Sequence, residues 1–253
     1  MVSGTGVRRG GLDPALEDKS RSQLLDELRR RMTTVNGRVD SAAPAEVSGL
    51  DVLSVPGPLG AALPAGGLVR GQTVACTRGS VLTGLLAAAS GAGRTVAVVG
   101  GTRLGLLAAA EMGASLPLIW LTPDPGPDPI EIVSVWADGV DMVIFDLDDV
   151  AVPPARAKVI QAKIHTSRCV LVVSGQRVRG LRPDLRLDSR PVAYDGLGRG
   201  KGRVTGVHLE LAVSGRALRH YRKRLILTGG ANGAVRWRIP TSRTERVSLS
   251  QTG

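Results

Sequence analysis

The strongest chemical signal in this chain lies between Leu63 and Gly84. There Leu-Pro-Ala-Gly-Gly-Leu-Val-Arg-Gly leads into Gln-Thr-Val-Ala-Cys and then Thr-Arg-Gly-Ser-Val-Leu-Thr-Gly. A glycine-rich lead-in, a short β-branched strand ending at Cys76, a tight turn and an apolar helix is how a phosphate-binding nucleotide domain begins. Such a turn needs two glycines that let backbone N–H groups face the phosphates. It also needs a lysine for the outer phosphates and a serine or threonine for magnesium. Here Gly79 and Ser80 are followed by Val81 and Leu82, and no lysine occurs between Lys19 and Lys158. Val143-Ile144-Phe145-Asp146 has the shape of a strand that ends in a magnesium-orienting acid. Arg78, Gly79, Ser80 and Asp146 therefore make up a degenerate nucleotide site. In it Arg78 is either a point charge for a phosphate or a solvent-facing turn residue.

Other catalytic arrangements find no support. His165, His208 and His220 are scattered, so neither a Ser/His/Asp nor a Cys/His constellation can be built from spacing. Asp148 and Asp149 read as a capping and solubility pair. Cys76 and Cys169 each fall in an apolar strand and read as small buried hydrophobes rather than a disulfide or zinc site. No metal and no cofactor is expected. With 2% aromatic residues, there are few platforms for stacking bases.

The formal net charge of +11 is unevenly placed: from Arg177 onward there are 17 Lys or Arg against 5 Asp or Glu, whereas the first 176 residues hold 16 against 17. A basic last third is the footprint of a surface for nucleic acid or an acidic partner, or of a solvated face. Between Arg190 and Arg203, Gly196, Gly198, Gly200 and Gly202 alternate with Leu197, Arg199, Lys201 and Arg203. This pattern predicts either a mobile loop able to approach a phosphate chain without reading sequence, or a flexible hairpin loop kept soluble by its charges. Arg190, Arg199, Lys201, Arg203, Arg216, Arg219, Arg222, Lys223 and Arg224 are the candidate DNA or partner contacts.

The elements that must position these residues follow from hydrophobic periodicity. Residues 1–14 are expected to be disordered and 15–32 to form an amphipathic helix. Its stripe of Leu24, Leu25, Leu28 and Met32 must pack on its own domain, a neighbouring copy or another protein. Residues 33–49 read as linker. Strands are expected at 72–76, 95–99, 118–121, 141–146 and 169–174, and helices at 81–92, 103–113, 129–137 and 154–166. This is the alternation of an α/β domain with a mostly parallel sheet. An antiparallel hairpin over 203–213 and 224–227 extends it, and 229–253 is expected to be a basic disordered tail. With no run of 18 apolar residues and no charged-then-apolar leader, the expectation is a soluble, cytoplasmic protein without a membrane partner.

The order of these pieces resembles the RecA-like core and, in detail, the actinobacterial ImuA-prime family. The resemblance covers residues 50–228. It is carried by residues 63–71 quoted above, Leu-Leu-Ala-Ala-Ala-Ser at 85–90 and Leu-Gly-Leu-Leu-Ala-Ala-Ala-Glu-Met-Gly at 104–113. Thr-Pro-Asp-Pro-Gly-Pro-Asp at 122–128, Asp-Gly-Val-Asp-Met-Val-Ile-Phe at 138–145 and Tyr-Asp-Gly-Leu-Gly-Arg-Gly-Lys-Gly-Arg at 194–203 complete it. In a RecA-type recombinase a glutamate that activates water follows the second strand, and here Thr102 falls at that place. The resemblance implies a RecA-fold adaptor without catalysis, acting in the DNA damage response and induced mutagenesis. The implied partners are ImuB, an inactive relative of Y-family polymerases, and through it an error-prone C-family polymerase and the sliding clamp. The competing expectation is a RecA-like ATPase or a DNA-binding filament protein acting in recombination or repair.

Overall fold

Runs such as Val96-Ala97-Val98-Val99 and Met142-Val143-Ile144-Phe145 have no polar face to leave in water, so they form strands covered on both sides. The computed structural model describes residues 51–198, 201–216, 218–230 and 233–240. The helix at 15–32, with Leu24, Leu25, Leu28 and Met32, lies outside the described residues, as do the linker, Arg199 and residues 241–253. The described elements begin with β1 (Val52–Leu53), α1 (Gly57–Gly60), β2 (Leu68–Val69), β3 (Thr73–Cys76) and α2 (Ser80–Gly91). Next come β4 (Val96–Gly100), α3 (Leu106–Glu111), β5 (Ile119–Thr122), α4 (Pro129–Ala137), β6 (Met142–Asp146), α5 (Pro154–Ser167) and β7 (Val170–Val173). The last are β8 (Leu185–Gly198), β9 (Lys201–Gly215), β10 (Leu218–Gly229) and β11 (Val235–Arg238).

β1 and β2 pair by themselves, and the other strands form one nine-stranded sheet in the order β11-β10-β9-β8-β3-β7-β6-β4-β5. From β8 to β5 neighbouring strands are parallel, and β9, β10 and β11 continue the sheet antiparallel. This is an α/β core with a mostly parallel sheet and an antiparallel C-terminal extension. The strands at 72–76, 95–99, 118–121, 141–146 and 169–174 and the four helices expected between them are found within a few residues of the expected limits.

Each face of the sheet carries its own apolar layer. On one, Val74, Val96, Val98, Met142, Ile144, Val170 and Val172 pack with α1, α2 and Ala109 of α3. On the other, Ala97, Val99, Val143, Phe145 and Leu171 pack with Ile130 and Val133 of α4 and Ile160 and Ile164 of α5. The helix α2 carries no charge and is built of Leu, Ala, Val, Gly, Ser and Thr. Only a central position suits such an all-round apolar helix, and it is buried along most of its length. Two starts and one end have local causes. Asp128 caps α4 by accepting from the Glu131 N–H, Pro129 and Pro154 open α4 and α5, and Arg168 closes α5 in the left-handed conformation at φ 59°. No helix among the described residues is long and apolar enough to cross a membrane.

Two expectations need correction. The stretch from Arg190 to Arg203 is not a free loop: Arg190 to Gly198 belong to β8 and Lys201 to Arg203 to β9, paired as a long hairpin. Its glycines serve cross-strand approach. Gly196 sits at φ 84° in a bulge, and a Cβ there would lie 2.2 Å from the Arg203 carbonyl oxygen. Nor is the segment after Gly229 a free tail throughout, because Val235–Arg238 adds to β10 with Trp237 opposite Leu227. Trp237 lies against Gly84 of α2, where a Cβ would come within 2.5 Å of the ring. A short, mostly polar segment becomes a strand because β10 offers a ladder and the helix glycine offers a seat.

Candidate functional site

The carboxyl ends of β3, β4, β6 and β7 gather at the edge where open α/β sheets bind ligands, because successive connections there leave to opposite faces. After β3 the chain crosses to α2 through Thr77, Arg78 and Gly79 alone. A phosphate cradle needs four residues between its glycines, so this turn is too short to wrap a phosphate in backbone N–H groups. The turn is pinned from the side, with the Thr77 N–H donating to the Leu187 carbonyl at 3.0 Å.

Arg78 folds back over the edge of the sheet. Its Nε donates to Asp146 Oδ1 at 2.5 Å, and its Nη1 lies 2.8 Å from Asp148 Oδ1. Asp146 is buried at 5% exposure and also accepts from the Ser174 hydroxyl at 2.7 Å, while Gln176 donates its backbone N–H to Asp148 at 2.7 Å. Arg103 adds a longer contact to Asp148 at 3.7 Å. The guanidinium, through its hydrogen bond, holds the Asp148 carboxyl below its ordinary range, helped by the Gln176 N–H. The same contact to Asp148, ahead of that to Asp146, raises the Arg78 pKa further, so this cation is never lost. One internal cation thus satisfies the buried acid at the end of β6 and a second acid beside it.

Two hollows flank Arg78. One of about 240 Å³ opens at the start of α2, lined by Arg78, Gly79, Ser80, Thr83, Arg103 and Asp146 among others, so the four residues of the degenerate site do come together. The other, about 400 Å³, lies between the ends of β3, β7 and β8, with Arg78, Ser174, Arg177 and Arg186 in its wall. Thr102, at the place of the water-activating acid, is exposed. Burial pushes the thiols of Cys76 and Cys169 up to about 12, which leaves neither as a nucleophile at neutral pH. Among the described residues no three His, Cys, Asp or Glu side chains converge as metal ligands.

Over 205 residues the chain is 35% identical to the Mycobacterium tuberculosis (strain ATCC 25618 / H37Rv) protein titled "Uncharacterized protein Rv3395c", an alignment spanning 77% of this chain and 93% of the relative. The chain belongs to the Rv3395c family. The family model described as the MT3502 N-terminal domain matches residues 61–180. Residues 61–180 include Arg78, Asp146, Asp148 and Ser174 and stop short of β8. Among solved structures, the KaiC-like protein PH0186 from Pyrococcus horikoshii OT3 aligns with a TM-score of 0.49 at 12% identity, over 75% of this chain and 100% of that one.

Other sequence candidates are dispersed by the fold. Arg203 and Arg216 stand at opposite ends of β9, roughly 40 Å apart at strand rise. Arg190 and Arg222 both lean on Glu210, at 2.8 and 3.3 Å, and Arg216 lies 3.8 Å from Asp184. Arg219, Lys223 and Arg224 are exposed along β10, and Lys201 opens β9. Asp148 and Asp149 cap no helix: Pro153 precedes α5, Asp148 holds Arg78, and Asp149 holds Arg177 at 2.5 Å. Ser174 escaped the sequence reading because nothing in a lone serine after a strand says that it will face the end of β6.

Proposed function

We propose that this protein is a RecA-fold adaptor without nucleotide turnover, which joins a DNA-damage-induced mutagenic complex by binding an ImuB-like inactive Y-family polymerase relative. Through that partner it supports error-prone translesion synthesis by a C-family polymerase at the sliding clamp. The observation that carries the non-catalytic part is the Arg78 guanidinium on Asp146 and Asp148. A cation of the chain stands at the acid a magnesium–nucleotide would need, and the turn beside it is too short to cradle phosphates. What supports the adaptor part is the family resemblance of residues 50–228, together with a chain whose basic C-terminal third offers charged surface to a partner.

The nucleotide arm is tested by thermal denaturation with ATP and magnesium. A ligand at 100 times its Kd stabilises by about 2.7 kcal/mol, so a binding-competent site would raise Tm by several degrees. The expected result is no shift, and no phosphate release above a blank. Phosphate release abolished by Asp146→Asn would replace the adaptor with a recombinase-like motor. The partner arm is tested by co-expressing the full chain with an ImuB-like protein. Retention of the pair through size-exclusion chromatography is expected, and elution as two separate species counts against it.

A further inference from the structure

The antiparallel extension has one covered face and one open face. Leu187, Leu209, Leu211, Val213, Leu225 and Leu227 point into the layer of α1 and α2, and Trp237 packs against that layer. On the opposite face the apolar layer of α4 and α5 covers strands β4, β6 and β7, and among the described residues it takes in nothing from β8 to β11. The strand period therefore assigns the alternate residues to an uncovered surface.

Cross-strand register says what stands there. Arg190 of β8 is opposite Glu210 of β9, which is opposite Arg224 of β10, and Asp188, Ala212 and Arg222 form the next row. Toward the far edge Arg238 is opposite Ile226 and Arg236 opposite Thr228. Arg186 stands beside Ala75 on the same face, where the surface runs into the hollow walled by Arg78, Ser174 and Arg177. All six arginines of this face, 186, 190, 222, 224, 236 and 238, are exposed. The acids of these rows are Asp188, Glu210 and Asp195, the last standing in the row of Arg236 and held by His208 at 2.8 Å. Glu210 is engaged by Arg190 and Arg222. Among the described residues, Arg186, Arg224, Arg236 and Arg238 have no carboxylate within ion-pair distance.

We infer that this open face of β8 to β11 is a binding surface for the phosphodiester backbone of duplex nucleic acid, contacted without base reading. Three features choose that partner over an acidic protein or a single strand. The cations are all arginines, whose planar forks fit phosphate oxygens. Within the arginine rows no large apolar side chain is exposed, Val204 standing beyond them toward the hairpin end of β9, and such a side chain is the anchor that protein interfaces are built around. Among the described residues these rows carry no Phe, Tyr or Trp on which an unpaired base would stack, and their one ring, the His208 imidazole, is tied to Asp195 at 2.8 Å. The face is about 14 Å across from β8 to β11 at normal strand spacing, broad enough to meet a backbone rather than one phosphate. The inference shares the DNA-associated setting of the adaptor reading but not its protein contact, and the two can fail separately.

The test is the affinity of the full chain for a fluorescently labelled random-sequence duplex across a salt series. It compares wild type with the combined variant Arg186→Gln, Arg224→Gln, Arg236→Gln, Arg238→Gln. A second combined variant, Arg203→Gln, Arg216→Gln, Arg219→Gln, Lys223→Gln, removes equal charge away from these rows. Wild type is expected to bind with a steep salt dependence. The first variant is expected to lose about tenfold or more in affinity at low salt and up to about 3.6 units of the log–log salt slope, since each of four phosphate contacts contributes close to 0.9. The second variant is expected to stay within about threefold of wild type. Circular dichroism checks that both fold. Equal binding by wild type and the first variant overturns the inference, as does a larger loss in the second. Competition by polyglutamate as effective as by unlabelled duplex overturns the choice of nucleic acid. Loss of the ImuB-like partner by the first variant, with duplex affinity retained, would make the face a protein-docking surface and overturn it as well.

Discussion

At the scale of single residues, the decisive feature is a guanidinium of the chain itself set against two carboxylates. Asp146 is nearly closed to solvent, so its charge has to be compensated, and Arg78 and Ser174 do this from two neighbouring connections. Removing Arg78 would leave a buried carboxylate unpaired. Arg78→Ala is therefore expected to destabilise the protein by about 3 kcal/mol, and the double variant with Asp146→Ala by less than the sum of the two single ones, as read by urea denaturation. Asp148 supplies a pH dependence. Its folded pKa is depressed, so the stabilisation it contributes is complete above the unfolded carboxylate value of about 3.9 and disappears as pH falls through that value toward the folded one. Stability measured from neutral pH down to pH about 3 should accordingly fall more steeply in wild type than in Asp148→Asn.

At the scale of elements, β11 shows how little sequence a strand requires when its neighbours are already in place. Four residues suffice because β10 presents a free edge and Trp237 covers Gly84. Trp237→Ala is expected to cost about 3 kcal/mol through loss of packing. The indole Nε1 is buried without a hydrogen-bond partner among the described residues, so Trp237→Phe gives back part of the cost by deleting an unsatisfied donor and should lose less than about 1.5 kcal/mol. Gly84→Ala, which drives a methyl into the ring, should destabilise even though alanine is the better helix former. Denaturant midpoints of the three variants check the order.

At the scale of the whole molecule, the two halves of the sheet are specialised differently. The parallel half holds the charge-neutralised edge and the region matched by the family model, and the antiparallel half carries the uncovered arginine face. The two halves are joined through β3 and β8, whose pairing puts Leu187 beside Cys76. Cys76 and Cys169 lie in separate strands at 4% and 1% exposure, so both report on the integrity of that joint core. Their thiols, with pKa values near 12, are expected to be silent to a thiol reagent in the native protein. They should react only at the rate of global unfolding, which a mass-spectrometric labelling time course would measure.

The α/β class, the parallel strands, four of their helices and the absence of a lysine from the turn were legible in the residues alone, because these rest on short-range periodicity and on residue types that are present or missing. Val96 to Val99 can only be a buried strand, and no lysine stands in the turn after Cys76. Only the folded arrangement decided what faces Asp146. Arg78 is separated from Asp146 by 68 residues and Ser174 from Asp146 by 28, and only the strand order places the three at one edge. It also decided that the glycine-rich basic segment is a hairpin and that Val235–Arg238 is a strand. Backbone pairing depends on a neighbouring edge, and a neighbouring edge leaves no mark in local composition.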